Sequence, residues 1–493
     1  MNKFHSTRST TDSLTAKQAI RKGIADDGGL FVTDALGNAN VNVAELPGKS
    51  YQQIAYEVLS LLLDDFSEQE LRDCIERAYG AQWSDERITP LKQVGSDYVL
   101  ELFNGPTCAF KDVALQILPR FMACTKPESD PNEQIMIVTA TSGDTGKAAL
   151  AGFADVPGTG ITVFYPQGKV SRVQELQMTT QQGNNVHVSA VDGNFDDAQT
   201  EVKRIFGDAA FAEQLAEHHV KLSSANSINI GRLVPQVVYY FAAYAQLLEA
   251  GKIKVGDEVE FVVPTGNFGN VLAGYYAKRM GLPVRDLVVA SDRNNVLFDF
   301  LVSGTYNKQR PFYETISPSM DILVSSNLER MLYYLSCNDP NLVADCMNDL
   351  REWGAFEVPE MLLQKIRHVF NTGWANEDQV REMIADCWNK HQYVIDPHTA
   401  CGYFVMQQMP RDPEVPRVLL ATASPYKFPR VVNESLGLDA TGTDFECMDV
   451  LSKATGTPIP AMLRNLETAE VRFRDDVPVA GMEQFVADSA AQL

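Results

Sequence analysis

Residues 259–270 read Val259-Glu260-Phe261-Val262-Val263-Pro264-Thr265-Gly266-Asn267-Phe268-Gly269-Asn270, an apolar run followed by a glycine loop. The apolar run predicts a buried strand, and residues 271–278 predict a helix after the loop. A glycine loop at a helix start presents unpaired backbone N–H groups and the helix dipole, which together favour a bound phosphate. Taken alone, the pattern fits an ordinary strand-to-helix turn equally well.

Similar strand-like runs alternate with helical segments on both sides of this stretch. They are residues 98–102, 135–138, 161–164, 287–290 and 417–421. Short strands separated by helices predict an α/β fold, with parallel sheets covered by helices on both faces.

The sequence divides into three predicted regions. A small, mainly helical N-terminal domain is expected at 1–95, two α/β catalytic domains at 96–435, and a C-terminal tail at 436–493. A helix-dominated stretch at about 301–391 is interpreted as an insertion in the α/β body. A chain of 493 residues is long enough for two or three packed domains.

Composition excludes several classes of function. The formal net charge of -22 argues against a nucleic-acid partner, because phosphate backbones require clustered Lys and Arg. No apolar stretch is long enough to cross a bilayer, and the start has no signal or transit pattern, so no membrane partner and a cytoplasmic location are expected. The 8 cysteines include no C-x-x-C pair, and no metal site is predicted.

A second loop of the same kind spans residues 139–147, Thr-Ala-Thr-Ser-Gly-Asp-Thr-Gly-Lys, between a predicted strand and a predicted helix. Its hydroxyls and backbone N–H groups can together bind a carboxylate. A helix N-cap rich in Ser and Thr is the simpler alternative, although a cap uses only one hydroxyl.

Lys111 ends the run Gly105-Pro106-Thr107-Cys108-Ala109-Phe110-Lys111, directly before Asp112. By itself a lysine fits a solvated surface position. Apolar neighbours before a helix start would desolvate the amine and lower its pKa, which a Schiff-base lysine requires.

Four motifs in this order resemble the threonine synthase family in its long form. They are residues 105–112, residues 141–147, Asn226-Ser227-Ile228-Asn229, and residues 266–270. The likeness covers roughly nine-tenths of the chain. It implies the tryptophan-synthase-β type of fold, fold type II, with pyridoxal 5'-phosphate as cofactor between two α/β domains.

The resemblance also implies a role for individual residues. Lys111 is the Schiff-base lysine and proton shuttle, and Thr422 faces the pyridine nitrogen. The cofactor phosphate is assigned to Gly266, Asn267, Phe268, Gly269 and Asn270. The substrate carboxylate is assigned to Thr141, Ser142 and Thr145. The substrate phosphate is assigned to Asn226, Ser227 and Arg232, with Lys169 as a weaker candidate.

The activity that the resemblance implies is a lyase reaction, in which O-phospho-L-homoserine and water give L-threonine and phosphate. The partner is then a small-molecule substrate, and the chain is a monomer or homodimer. Ser424 stands where the family usually has a histidine. Two alternatives are a related phospholyase that forms 2-oxobutyrate, and a non-catalytic paralogue that binds the cofactor. An intact Lys111 argues against the paralogue.

Overall fold

The structure is a computed structural model, and it describes residues 1–11, 13–127, 129–141 and 143–493. The strands of these residues follow in chain order. They are β1 (Phe4–Ser6), β2 (Phe31–Thr33), β3 (Leu91–Val94), β4 (Asp97–Glu101), β5 (Gln134–Ala140), β6 (Thr159–Pro166), β7 (Val186–Asp192), β8 (Val220–Ser223), β9 (Val259–Pro264), β10 (Val284–Ser291), β11 (Thr305–Asn307), β12 (Ala355–Glu357), β13 (Phe370–Trp374), β14 (Arg417–Ala421) and β15 (Asp475–Pro478).

The α-helices of the described residues connect and cover these strands. They are α1 (Ala16–Lys22), α2 (Tyr51–Leu62), α3 (Glu68–Ala78), α4 (Lys111–Leu115), α5 (Leu118–Ala123), α6 (Asp144–Phe153), α7 (Arg172–Thr179), α8 (Phe195–Gly207), α9 (Ala209–Ala216), α10 (Ile230–Leu233), α11 (Val237–Glu249), α12 (Gly269–Arg279), α13 (Val296–Ser303), α14 (Leu328–Leu335), α15 (Pro340–Glu352), α16 (Glu360–Val369), α17 (Glu377–His391), α18 (Pro397–Gln408), α19 (Pro429–Ser435), α20 (Asp444–Thr455), α21 (Ala461–Arg464) and α22 (Met482–Ala490).

Two sheets form the body of the protein. In the larger sheet the strand order is β13-β10-β9-β14-β4-β3, and its strands are parallel except for the antiparallel edge pair β3–β4. In the smaller sheet the order is β15-β7-β6-β5-β8, and its strand pairs are parallel. The predicted α/β fold with parallel sheets is confirmed.

Burial on both faces explains why the strands read as continuous apolar runs. Every residue of β9 is buried, because helices pack against the larger sheet from both sides. The carboxyl ends of the parallel strands of one sheet point the same way, so the loops after β4, β9 and β14 meet at one edge.

The N-terminal region packs helices α1–α3 and the β1–β2 pair against the body. Capping boxes at Ser50 and Ser67 begin α2 and α3, and α2 packs on α11. An ion pair from Arg8 to Glu329, 2.8 Å between Nη2 and Oε2, ties this region to α14.

The stretch interpreted as a helical insertion and the C-terminal tail contain strands that the sequence did not predict. β11 and β12 pair with each other within that stretch. β13 falls within the stretch interpreted as a helical insertion and joins the larger sheet as an edge strand. β15 comes from the tail at 436–493 and is an edge of the smaller sheet. Both positions are only partly buried, so neither sequence carries a strong strand signal. The domain boundaries at 95 and 435 stay predictions.

Among the described residues, none of the helices combines the length and apolar character that crossing a membrane requires.

Candidate active site

The predicted site residues lie at the carboxyl ends of parallel strands, where ligands bind in open α/β sheets. The loop after β14 meets the loop after β4 directly: the Phe110 N–H donates to the Thr422 carbonyl at 2.8 Å, and Ala109 pairs with Ala423. The backbone therefore brings Lys111 and Thr422 together, as the resemblance implies for residues on one cofactor.

Lys111 is the first residue of helix α4, and its side chain is largely removed from solvent. Burial, together with the nearby Arg232 and Lys427 cations, lowers the pKa of the Lys111 amine from its ordinary value to about 8, while Asp144 opposes this shift. An amine with this pKa is partly unprotonated near neutral pH and is a competent nucleophile.

Two features shape the loop predicted to hold the cofactor phosphate: a residue with positive φ and a close approach of two backbone segments. Phe268 has φ of +60°, which turns the chain into helix α12. A Cβ at Gly266 would lie 3.2 Å from the Met320 Cα and from the Ser319 carbonyl oxygen, so a larger residue there would displace one of the two loops. Glycine is required for this approach of backbone to backbone.

Asn270 is fixed from behind by two buried tyrosines. Tyr239 and Tyr240 donate to its Oδ1 at 2.5 and 3.1 Å, and Tyr240 also donates to its carbonyl at 2.8 Å. The Asn270 Nδ2 is buried and has no hydrogen-bond partner among the described residues. A buried amide donor without an acceptor at a helix start fits an anionic group such as the cofactor phosphate.

Arg232 is a second buried polar residue, and its guanidinium has no carboxylate partner among the described residues. Its side chain is buried, and its Nη1 donates to the Ala225 carbonyl at 2.9 Å. No carboxylate of the described residues lies within 4.0 Å of the guanidinium. Burial lowers the pKa of Arg232 to about 10. A buried guanidinium with this surrounding fits a phosphate or carboxylate ligand.

The other residues predicted for the substrate phosphate lie nearby on the same connection. Ser227 is half-buried, and its hydroxyl lies 3.1 Å from that of Ser326, while Asn226 is exposed. Asn327 joins this connection to the cofactor loop, because its Nδ2 donates to the carbonyls of Ser227 and Asn267 at 3.0 and 3.2 Å. Lys169 stands on an exposed turn after β6.

In the loop predicted to bind the substrate carboxylate, the hydroxyls of Thr141 and Thr145 have different surroundings. The Thr141 Oγ1 accepts from the Gly143 and Gly146 N–H groups, each at 3.0 Å, so it stabilises the loop itself. Thr145 is half-buried on the first turn of α6. Ser142 lies outside the described residues.

A group of charged side chains behind Lys111 was not predicted. Asp144 Oδ1 lies 2.6 Å from Lys427 Nζ and 3.1 Å from Lys147 Nζ, and the three side chains are at most 4% exposed. We call Asp144, Lys147 and Lys427 the two-lysine cluster. Although burial opposes it, the two ammonium groups hold the pKa of Asp144 well below its usual range. Burial lowers the pKa of Lys147 even though Asp144 opposes the shift.

One feature of the sequence could have signalled part of this cluster. Lys147 and Asp144 are three residues apart at the start of a helix, the spacing of an ion pair on one helix face. Lys427 follows Thr422 in a short turn, and only the fold shows that it reaches Asp144. Ser319 and His398 also meet here, since the Ser319 N–H donates to His398 Nε2 at 3.1 Å.

Ser424 has a local structural role. Its Oγ accepts from the Tyr426 N–H at 3.3 Å and caps the 3₁₀ turn Pro425–Lys427, which carries Lys427 into the cluster. Its own N–H donates to the Cys108 carbonyl at 3.1 Å. The serine therefore helps to hold Lys427 in place beside the loop of Lys111.

Comparisons with known proteins agree with this geometry. Family models described as threonine synthase N terminus, pyridoxal-phosphate dependent enzyme, and threonine synthase, C-terminal match residues 3–79, 85–339 and 399–486. The chain is 38% identical over 467 residues to threonine synthase of Schizosaccharomyces pombe, covering 88% of this chain and 89% of that protein.

Two further proteins are similar over most of the chain. Threonine synthase-like 1 of Homo sapiens is 38% identical over 432 residues, which cover 85% of this chain and 58% of that longer protein. The crystal structure of PLP-bound threonine synthase from Brucella melitensis superposes with a TM-score of 0.89 at 37% identity, covering 99% of this chain and 100% of that chain. The chain therefore belongs to the threonine synthase family of pyridoxal phosphate-dependent enzymes.

Proposed function

We propose that the protein converts O-phospho-L-homoserine and water to L-threonine and phosphate. The observation that carries the proposal is the half-buried Lys111 amine with its lowered pKa, at a strand-end site where cations outnumber carboxylates. Both this substrate and the cofactor are phosphate esters. The local excess of positive charge therefore suits phosphate binding, although the whole chain carries a net charge of -22.

The excess can be counted from the groups that influence one another at this site. Four cations, Lys111, Lys147, Lys427 and Arg232, stand against the carboxylates Asp112 and Asp144 among the described residues. With Lys111 unprotonated, as its proposed role as a base requires, 3 minus 2 leaves one positive charge. Buried charge without a counter-ion is unstable, so anionic ligands complete this site.

Each phosphate has its own receptor in the proposal. The cofactor phosphate is assigned to residues 266–270, where Asn270 offers its unpartnered Nδ2. The substrate phosphate is assigned to Arg232 with Asn226 and Ser227, and Lys169 stays a weaker candidate because it is exposed. The substrate carboxylate is assigned to the loop that contains Thr141, Ser142 and Thr145.

Pyridoxal phosphate supplies the electron sink for carbanion chemistry when it is bound. The chain supplies orientation and proton transfer. The Lys111 Nζ would take the proton from the substrate Cα, then take one from Cβ and deliver protons at Cγ and Cα, which its partly unprotonated state permits. Thr422 would present a neutral hydroxyl to the pyridine nitrogen instead of a carboxylate, which would disfavour protonation of the ring.

The test is a product assay with the protein loaded with pyridoxal phosphate and O-phosphohomoserine as substrate. The proposal predicts threonine and phosphate in equal amounts. If 2-oxobutyrate is the main product, the protein is a phospholyase, and if no phosphate is released, it is not an enzyme for this substrate. Lys111→Met serves as the inactive variant, and Lys252→Met, at an exposed lysine, as the matched control.

A further inference from the structure

Ser319 lies between Lys111 and the two-lysine cluster. The Lys111 Nζ donates to the Ser319 Oγ at 3.4 Å, and the Ser319 Oγ donates to Asp144 Oδ2 at 3.0 Å. We propose that Ser319 and Asp144 are positioning residues that hold the Lys111 amine through this chain of two hydrogen bonds. The inference deepens the proposed function and rests on the role given there to Lys111.

Ser319 is itself held in place by a second pair of buried groups. Its N–H donates to His398 Nε2 at 3.1 Å, and His398 Nδ1 lies 2.7 Å from Asp396 Oδ2. Because Nε2 must accept, Nδ1 carries the hydrogen and donates to Asp396, which fixes the neutral tautomer of the ring. The Ser319 backbone is thus anchored, and its hydroxyl is aimed at the space between Lys111 and Asp144.

Asp144 has the partners that keep it negative in a buried setting. Oδ1 receives Lys427, Lys147 and the Gln174 amide at 2.6, 3.1 and 3.2 Å, which leaves Oδ2 for the Ser319 hydroxyl. Charge-assisted bonds to two ammonium groups offset the cost of burying the carboxylate. Asp144 therefore supplies a fixed negative charge at one end of the hydrogen-bond chain.

This arrangement predicts opposite effects from two substitutions. A protonated Lys111 donates to the Ser319 hydroxyl, which in turn donates to the Asp144 carboxylate. The two hydrogen bonds therefore stabilise the ammonium form of Lys111. Three charged groups influence the Lys111 amine: Asp144 raises its pKa, whereas Arg232 and Lys427 lower it, beyond the lowering that burial causes. Removing the Ser319 hydroxyl should lower the Lys111 pKa, and removing the Lys427 charge should raise it.

The experiment measures the Lys111 amine directly, in the full-length chain freed of cofactor. Limited acetylation with acetic anhydride across a pH series, followed by mass spectrometry of the Lys111 peptide, gives the pH at which the amine becomes reactive. The wild-type midpoint is expected at about 8. Ser319→Ala should shift it down and Lys427→Met should shift it up, each by about one pH unit.

Two variants separate a positioning role from a general structural one. Ser319→Thr keeps the hydroxyl and should restore the wild-type midpoint. Ser317→Ala removes the hydroxyl two residues away, which lies 3.7 Å from the Cys401 Sγ and has no contact with Asp144 in the described structure. It should leave the midpoint unchanged.

The measured midpoints either support the positioning role of Ser319 and Asp144 or overturn it. Opposite shifts for Ser319→Ala and Lys427→Met, with rescue by Ser319→Thr, support the inference. An unchanged midpoint in Ser319→Ala, or shifts of the same sign in both variants, overturns it. The labelling requires neither substrate nor cofactor, so a failure of the product assay would refute the proposed function without altering this result.

Discussion

Strands β4 and β14 carry buried charge at both ends, but of two different kinds. At the amino ends, Arg417 donates from Nε and Nη2 to both oxygens of Asp97 at 3.0 and 2.9 Å, and from Nη1 to the Met406 carbonyl at 2.8 Å. At the carboxyl ends, the loops carry Lys111 and Lys427 to Asp144, which already binds Lys147.

The charged pair at the amino ends stabilises the fold, whereas the charges at the carboxyl ends are assigned to ligand binding. The Asp97–Arg417 pair is bidentate and internally balanced, so it needs no ligand to be stable. The carboxyl ends hold more cations than carboxylates among the described residues, so their electrostatics are complete only when anions bind. Substitutions at the two ends should therefore change different measurable quantities.

The largest expected effect is on activity, at the carboxyl ends. Lys111→Met should lower kcat/KM by at least about a thousandfold, because it removes the group assigned to bind the cofactor and move the substrate proton. Its melting temperature should not fall, since a buried cation is replaced by an apolar side chain of similar size. A variant that keeps more than a tenth of the activity would contradict the assignment.

The next effect is on stability, at the amino ends. Arg417→Met should lower the free energy of unfolding by about 3 kcal/mol, because it leaves the buried Asp97 carboxylate without its bidentate partner. Urea unfolding measures the loss, and KM should stay near the wild-type value. The double variant Asp97→Leu with Arg417→Met should recover most of the stability. Equal stability of Arg417→Met and wild type would remove the distinction between the two ends.

Arg232 provides the matched substitution at the carboxyl ends. Arg232→Met should raise KM for the phosphorylated substrate about a hundredfold, because a buried receptor for an anion is lost. It should not lower the free energy of unfolding, since no described carboxylate is left unpaired. If the variant instead unfolds as easily as Arg417→Met while KM is unchanged, Arg232 belongs to the fold and not to the site.

The smallest effect is expected at Ser424. Ser424→Ala should cost about 1 kcal/mol of stability, because the 3₁₀ turn before Lys427 loses its cap. Steady-state kinetics should show kcat within about threefold of wild type, since the Ser424 side chain contacts the Tyr426 N–H and not Lys111. A larger loss of kcat at wild-type stability would give Ser424 a direct part in the chemistry.

The sequence predicted the fold well, for a physical reason, while the assignment of residues 266–270 to the cofactor phosphate stays a prediction. Residues 259–263 are apolar except for Glu260 because β9 is buried on both faces, and Gly266 allows the close approach of Met320. Such constraints are local and leave a readable pattern. The edge strands β13 and β15 were missed because they are half solvated, so their sequences lack that pattern.

The surroundings of Lys111 could not be read in the same way. Ser319 and Lys427 lie 175 and 283 residues from Asp144 in the sequence, and no periodicity links the three residues. His398 lies 79 residues from Ser319 in the sequence, and only the structure shows that it accepts the Ser319 N–H. The charge balance of the site follows from tertiary contacts, which only the fold reveals.

The central claim is that Lys111 is the residue to which pyridoxal phosphate is joined. Borohydride reduction of the cofactor-loaded protein, followed by digestion and peptide mapping, locates the joined lysine directly. The account predicts one pyridoxyl label per chain, on the peptide that contains Lys111. A label on Lys147, Lys427 or any other lysine, with Lys111 unmodified, would contradict it.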